Sequence, residues 1–364
     1  MEISKQNQTA GDNAQQVQVG DVTNLTIVNG ITEQRARDIF REMNQQAVAN
    51  YSQDAWAEAL RRIRILETLV MEKVEKMDDV LVAFGDPAFQ VLLAEAQKRA
   101  AATEREVDYK LLSELLVCHV KKGACRINRA GINRAVEIVG DIDTTALCAL
   151  TVAHAFESFF PNTGEILNGL WLLDNMFKKL MYEDLPTGNR WLDHLDTLGA
   201  VRLASFGEMK KLCEYYAEML PGYVCIGIKK ESDEYKKAID ILHKAQVDDS
   251  ILVDNECLEG YVRLDIRSKG SIKDLHLESP DGRIPLSIEQ IDALEKTWEL
   301  YTKNDELTNL VKKKFAELLN GFATLKKLQQ WWDSIPGCFD ITQVGRVLAH
   351  TNAKRCDSNV PDLI

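Results

Sequence analysis

Three groupings in this 364-residue chain have residue types and spacings that could do chemistry. Cys118-His119, with Cys125 a short way on, offers the sulfur and nitrogen ligands that zinc takes. Zinc needs four such ligands, and the neighbours 118 and 119 leave a helix in different directions. No fourth ligand is placed, so the expectation is buried thiols, a surface histidine and no metal. Asp193-His194-Leu195-Asp196 sets an imidazole between carboxylates, a pattern suited to acid–base work when a carboxylate orients the ring. No nucleophile accompanies it, and the charges of residues 190–198 also suit a solvated turn of helix. Arg346 and His350 stand one helical turn apart near the C-terminus. His154, with Glu157 three residues on, lies in an apolar run and reads as a satisfied core histidine. Asp193, His194, Asp196, Arg346 and His350 are the candidate catalytic residues; His154, Asp193, His194 and His350 could share a site only if the fold brings distant segments together.

Other signatures are missing. The chain has no phosphate-binding loop, dinucleotide fingerprint, Gly-x-Ser-x-Gly elbow or His-Glu-x-x-His pair, and no cofactor is expected. Its 44 basic and 56 acidic residues give a net charge of −12. Nucleic acid is therefore not an expected partner, because phosphate neutralisation needs a clustered basic footprint. The densest basic run, Lys312-Lys313-Lys314, stands beside Glu317 and reads as a solvated helix face. No apolar stretch is long enough to span a bilayer, and the first residues lack the basic and apolar regions of a signal peptide. A cytoplasmic protein is the expectation, with its eight cysteines reduced.

The elements that must position these groups fall into two textures. Residues 1–30 repeat Gly, Asp and Asn turns every nine residues, at Ala10-Gly11-Asp12, Val19-Gly20-Asp21 and Val28-Asn29-Gly30. Short β-type pieces lie between the turns. Inward residues Val17, Val19, Leu25 and Ile27 are too few to offset chain entropy in one copy, yet more than a solvated tail needs. The expectation is pairing between copies. Beyond Gly30 the period becomes helical. Trp56, Ile63, Val70 and Met77 fall seven apart, a short heptad seam that equally fits a helix packed on its own core. Caps mark further helices: Asp86-Pro87, Thr103 with Glu106, Asp143 or Thr144, Ser205 with Glu208, Ser232, Ser287 with Gln290, and Asp340. Between 249 and 286, alternation at Tyr261–Arg267 and the turn Asp281-Gly282 predict a small β insert.

Two resemblances attach to these residues. Arg346…His350 is similar to the Arg…His pair of helical ribonucleases of the HEPN group, but that family places four to six residues between the two and here only three intervene, so the spacing does not match. The opening from Gly11-Asp12-Asn13 through Ile31-Thr32-Glu33 to Phe40 resembles that of a group of bacterial accessory proteins. Phe84-Gly85-Asp86-Pro87 and Phe339-Asp340-Ile341-Thr342 resemble it too. That resemblance implies no chemistry and carries over no functional residue; it implies a setting near anti-phage defence systems.

Together these readings predict a mainly α protein with a short N-terminal β-repeat segment and a small β insert near 250–286. The expected divisions are 1–30 for self-association, a helical stem at 31–80, helical domains at 81–248 and 287–356 around the insert, and a tail at 357–364. The expected function is a non-enzymatic homo-oligomer, joined through residues 1–80, that serves as sensor, scaffold or interaction module, with another protein as a possible partner. The alternative is a helical nuclease or other hydrolase with a site built from distant His and Asp residues.

Overall fold

The computed structural model describes residues 31–49, 51–74, 78–204, 206–279 and 282–361. Val17, Val19, Leu25, Ile27, Met77, Ser205 and Asp281 lie outside them, and so do the β-repeat and the hairpin turn read from the sequence.

Six helices come first among the described residues: α1 (Glu33–Val48), α2 (Gln53–Val74), α3 (Asp78–Ala83), α4 (Pro87–Ala102), α5 (Glu106–Lys122) and α6 (Arg126–Ile138). Thr32 caps α1 by accepting the Arg35 amide at 3.2 Å, and Asp86 caps α4 with Pro87 in its first turn. Helix α2 lies on α4 and α5. That contact buries Ile63 and Val70 in the core of their own chain, while Trp56 is 47% exposed. Ile63 and Val70 thus serve an intramolecular face, and α1 and α2 share the apolar core of the body. Thr103 does not form the expected capping box. Its hydroxyl accepts the Arg105 amide and donates to the buried carboxylate of Asp108 at 2.5 Å, and α5 starts after Arg105.

Next come α7 (Thr144–Ser158), α8 (Ile166–Leu180) and α9 (Arg190–Thr197). Asp143 caps α7 by accepting the amides of Thr145 and Ala146. Residues 146–156 of α7 are all buried, as a helix without a polar face must be. Strand β1 (Val201–Ala204) comes next, and the segment expected to be one helix from 205 to 220 is helical only over α10 (Leu212–Met219). Strand β1 pairs antiparallel with β7 (Cys338–Ile341), Val201 opposite Ile341. This pairing also displaces the expected cap of the last helix. Asp340 is a strand residue opposite Arg202, and Thr342 caps α15 (Gln343–Cys356). Helix α15 packs on α5, α6 and α7, so the end of the chain completes the core begun by its first third. Helix α14 (Ala323–Trp332) closes the body against α8 and α10, and α13 (Asp305–Asn320) packs on α14.

Between α10 and α13 the chain builds the β-containing insert. Strands β2 (Ile228–Lys229), β3 (Leu252–Asp254) and β4 (Tyr261–Leu264) form an antiparallel sheet in the order β2-β4-β3. A second, separate antiparallel pair is β5 (His276–Ser279) with β6 (Gly282–Pro285). Two helices pack on these strands: α11 (Asp233–Lys244), capped by Ser232, and α12 (Ile288–Glu299), with the Ser287–Gln290 capping box. The unit therefore reaches beyond 249–286 on both sides. Its apolar clusters are small: Leu242, Val247, Leu264, Ile266, Ile272 and Leu294 in one, and Ile228, Ala238 and Val262 in the other.

A buried latch fastens the insert to the body. Arg263, fully buried, pairs with Glu256 at 2.6 Å and donates to the Gly164 carbonyl at 2.8 Å. The Glu256 carboxylate in turn accepts the Ile166 and Leu167 amides at the start of α8, each at 3.2 Å, where the helix dipole favours an anion. Gly164 and Gly222 have no Cβ for a reason: one there would strike the backbone of Asp265 or Ile266.

Candidate functional site

Helices α7 and α15 carry two histidines that are 196 residues apart in sequence and touch in the core. His154 Nε2 lies 3.4 Å from His350 Nδ1, and the rings meet edge to face. His154 Nδ1 lies 3.2 Å from the Ser158 hydroxyl, one turn on along α7. Phe159 packs on both rings. Burial lowers the His154 pKa to about 4, and the neighbouring His350 and Arg346 push it the same way. At neutral pH the ring is uncharged, with one nitrogen to donate and one to accept. Ser158, His154 and His350 thus form a hydrogen-bonded string through which a proton can pass. Beside it, burial raises the pKa of Glu157 against the opposing pull of Arg346.

Each end of the string meets a cavity. Ser158 lies on the wall of a cleft of about 650 Å³. One side of the cleft is apolar, from Phe159, Phe160, Trp171 and Met176; Asn162 and Arg267 are polar. Trp171 is 55% exposed. An ion pair between Lys179 and Asp357 at 2.8 Å lies on the rim. The cleft sits where α7, α8 and residues 357–361 of the body face Arg267 of the insert. His350 lines a second cavity of about 60 Å³, with Glu114, Cys118, Lys121, Lys122 and Lys354.

The other candidate residues lie elsewhere. Asp193, His194 and Asp196 are on α9, and His194 Nε2 accepts the Asp143 amide at 3.1 Å, which ties α9 to the start of α7. Asp196 lies 3.9 Å from Arg202. Arg190 and His194 line a cavity of about 520 Å³ that contains none of the His154 group. The expectation of buried thiols and a surface histidine is reversed: His119 is on the inner face of α5, buried beside Phe89, whereas Cys118 is half-buried on the small cavity and Cys125 is exposed ahead of α6. Among the described residues no three His, Cys, Asp or Glu side chains gather in a metal-binding group. Nor is any helix among them long and apolar enough to cross a membrane.

The cleft-lining residues Ser158, Trp171 and Arg267 were not among the sequence candidates. Trp171 had a signal: it stands in an apolar helical run but off the face that Leu170, Leu173 and Phe177 bury. Arg267 ends the alternating stretch of the insert, and nothing local connects it to α8.

Comparison with known families places the chain. It belongs to an uncharacterised family. The model of that family matches residues 30–363, so the match takes in body and insert together and leaves residues 1–29 outside. No curated protein and no solved structure matches the chain. Family membership therefore assigns no chemistry, and the functional reading rests on the cleft.

Proposed function

We propose that this family member is a self-assembling, non-enzymatic sensor: copies gather through the N-terminal segment, and the cleft between body and insert takes the signal. The observation that carries the reading is the cleft's position. Its walls come from two units with separate apolar cores, so an occupant would touch both and bias how they sit together, as ligands at unit boundaries do. Self-assembly is supported by the nine-residue repeat at 1–30 and by exposed Trp56 on α2. Ile63 and Val70 are occupied inside the body, which narrows the contact to the repeat and its surroundings. Defence against phage, the setting implied by the sequence resemblance, completes the proposal.

Light scattering of the full chain and of a form lacking residues 1–30 tests assembly. The expected result is a multiple of the 41.1 kDa chain mass for the first and a folded monomer for the second. A 41.1 kDa mass for the full chain at micromolar concentration overturns it.

One observation favours hydrolysis as the second reading: the Ser158–His154–His350 string has the nucleophile–base–orienter order. Against it, a base that titrates near 4 draws a proton from serine poorly at neutral pH. Labelled RNA, DNA, nucleotides and p-nitrophenyl acetate, each with and without divalent metal, separate the readings. The sensor reading predicts no turnover. Turnover lost in both Ser158→Ala and His350→Ala replaces it with the hydrolase.

A further inference from the structure

The cleft at the body–insert junction has a partner cavity. A polar hollow of about 330 Å³, lined by Asp265, Asp274, His276 and Arg283, adjoins it, and the two share Asn162 and Arg267. Arg267 is half-buried at this neck. Among the described residues its guanidinium makes no ion pair and no hydrogen bond, although its carbonyl accepts the Gly222 amide. That is unusual in a chain with 56 acidic residues, where carboxylates outnumber cations. A partly desolvated guanidinium facing a cavity is a ready donor to a planar anion, with its hydrogen bonds not committed elsewhere.

The two ends of the composite site ask for different chemistry. Trp171, Phe160 and Met176 offer flat, polarisable surface. Ser158, whose hydroxyl is held by His154, and Asn162 add hydrogen-bonding groups to the same lining as Arg267. We infer that the junction cleft binds a small aromatic anion, its ring against Trp171 and Phe160 and its carboxylate, sulfonate or phosphate on Arg267. The volume of the cleft is in the range of sites that enclose such molecules. The ring contacts α8 of the body while the anion holds the insert, so one ligand spans both units. This inference rests on the sensor reading for its purpose; its test does not depend on assembly.

The probe is 8-anilino-1-naphthalenesulfonate, an aromatic anion whose fluorescence rises in apolar sites. Its uncharged counterpart, N-phenyl-1-naphthylamine, serves as the control. The intact full-length protein should bind the sulfonate saturably, one per chain. Arg267→Met should weaken it about tenfold, the loss of one charge-assisted contact, and leave the uncharged dye unchanged. Trp171→Ala should weaken both dyes. Ile288→Ala, which removes an apolar side chain that is 86% exposed on the insert, should alter neither. Melting curves check that each variant is folded. Equal sulfonate affinity for the parent and Arg267→Met overturns the inference, as does binding insensitive to Trp171→Ala. Because dye binding is read per chain and light scattering reads mass, failure here is distinguishable from failure of self-assembly.

Discussion

The helical body and the insert solve the same problem with different means. The body has one continuous core running from Ala36 to Val360, and its last helix, α15, fills the space between α5, α6 and α7. Its buried polar contacts between helices are mostly neutral. His154 meets His350, and Asn352 donates to Thr151 and Tyr182 at 2.8 and 3.0 Å. The insert has two small apolar clusters and a fully buried cation, Arg263. A unit with that little apolar area gains only modestly from burial, so its attachment depends on geometry around the charge. The contrast teaches where each region is fragile. Loss of one polar contact should cost the body little, because its core is large; loss of the carboxylate that answers Arg263 should cost the insert far more.

The largest effect expected from breaking this contrast follows from Glu256→Ala. The substitution leaves Arg263 buried without its counter-charge and removes the acceptor for two amides at the start of α8. Uncompensated buried charges of this kind cost roughly 3–5 kcal/mol. The melting temperature should fall, and amide exchange should quicken over residues 228–302 before it does in α7 and α15. If protection of the insert is unchanged, the latch is not what holds it, and the distinction drawn between the two regions fails.

Much of this architecture was legible in the sequence because its signals are local. Thr32, Asp86, Asp143, Ser232 and Ser287 each accept backbone amides where their types and positions predict a cap. The apolar run after Asp143 becomes the most buried helix. What was not legible depends on pairing between distant segments. Val201–Ala204 becomes a strand only because Cys338–Ile341 lies alongside, and that partner also takes Asp340 from its expected capping role. Thr103 and Glu106 have the spacing of a capping box, but Arg105 reaches the carbonyls of Val139 and Ile142 and shifts the helix start. At the site, His154 and His350 could each be singled out, but nothing in the chain says that α15 returns to α7. The seam at Ile63 and Val70 was ambiguous by nature, since a period of seven fits one's own core as well as another copy's. Arg267 and Trp171 line one cleft from the two sides of a body–insert boundary that no local pattern encodes.

A smaller effect sharpens the contrast from the body's side. His154 is 4% exposed, and its pKa in the folded chain falls to about 4 from an ordinary 6.5. Between those values the unfolded chain holds a proton on this ring that the folded chain refuses. The unfolded state binds more protons there, so stability rises with pH across the window and is lost as pH drops from 6.5 towards 4. The full difference is about 3 kcal/mol at the acid end and vanishes above neutrality. Carboxyls raised by burial, Asp108, Glu157 and Asp265, act in the opposite sense, so the quantity to measure is the difference between the parent and a variant. His154→Gln keeps a polar side chain beside His350 and Ser158 but cannot titrate. Urea unfolding followed at pH 7 and at pH 4.5 should show the parent losing about 2 kcal/mol more than the variant over that interval. Equal losses would mean that the histidine ring is charged in the folded core, and that the body, like the insert, is built around a buried cation.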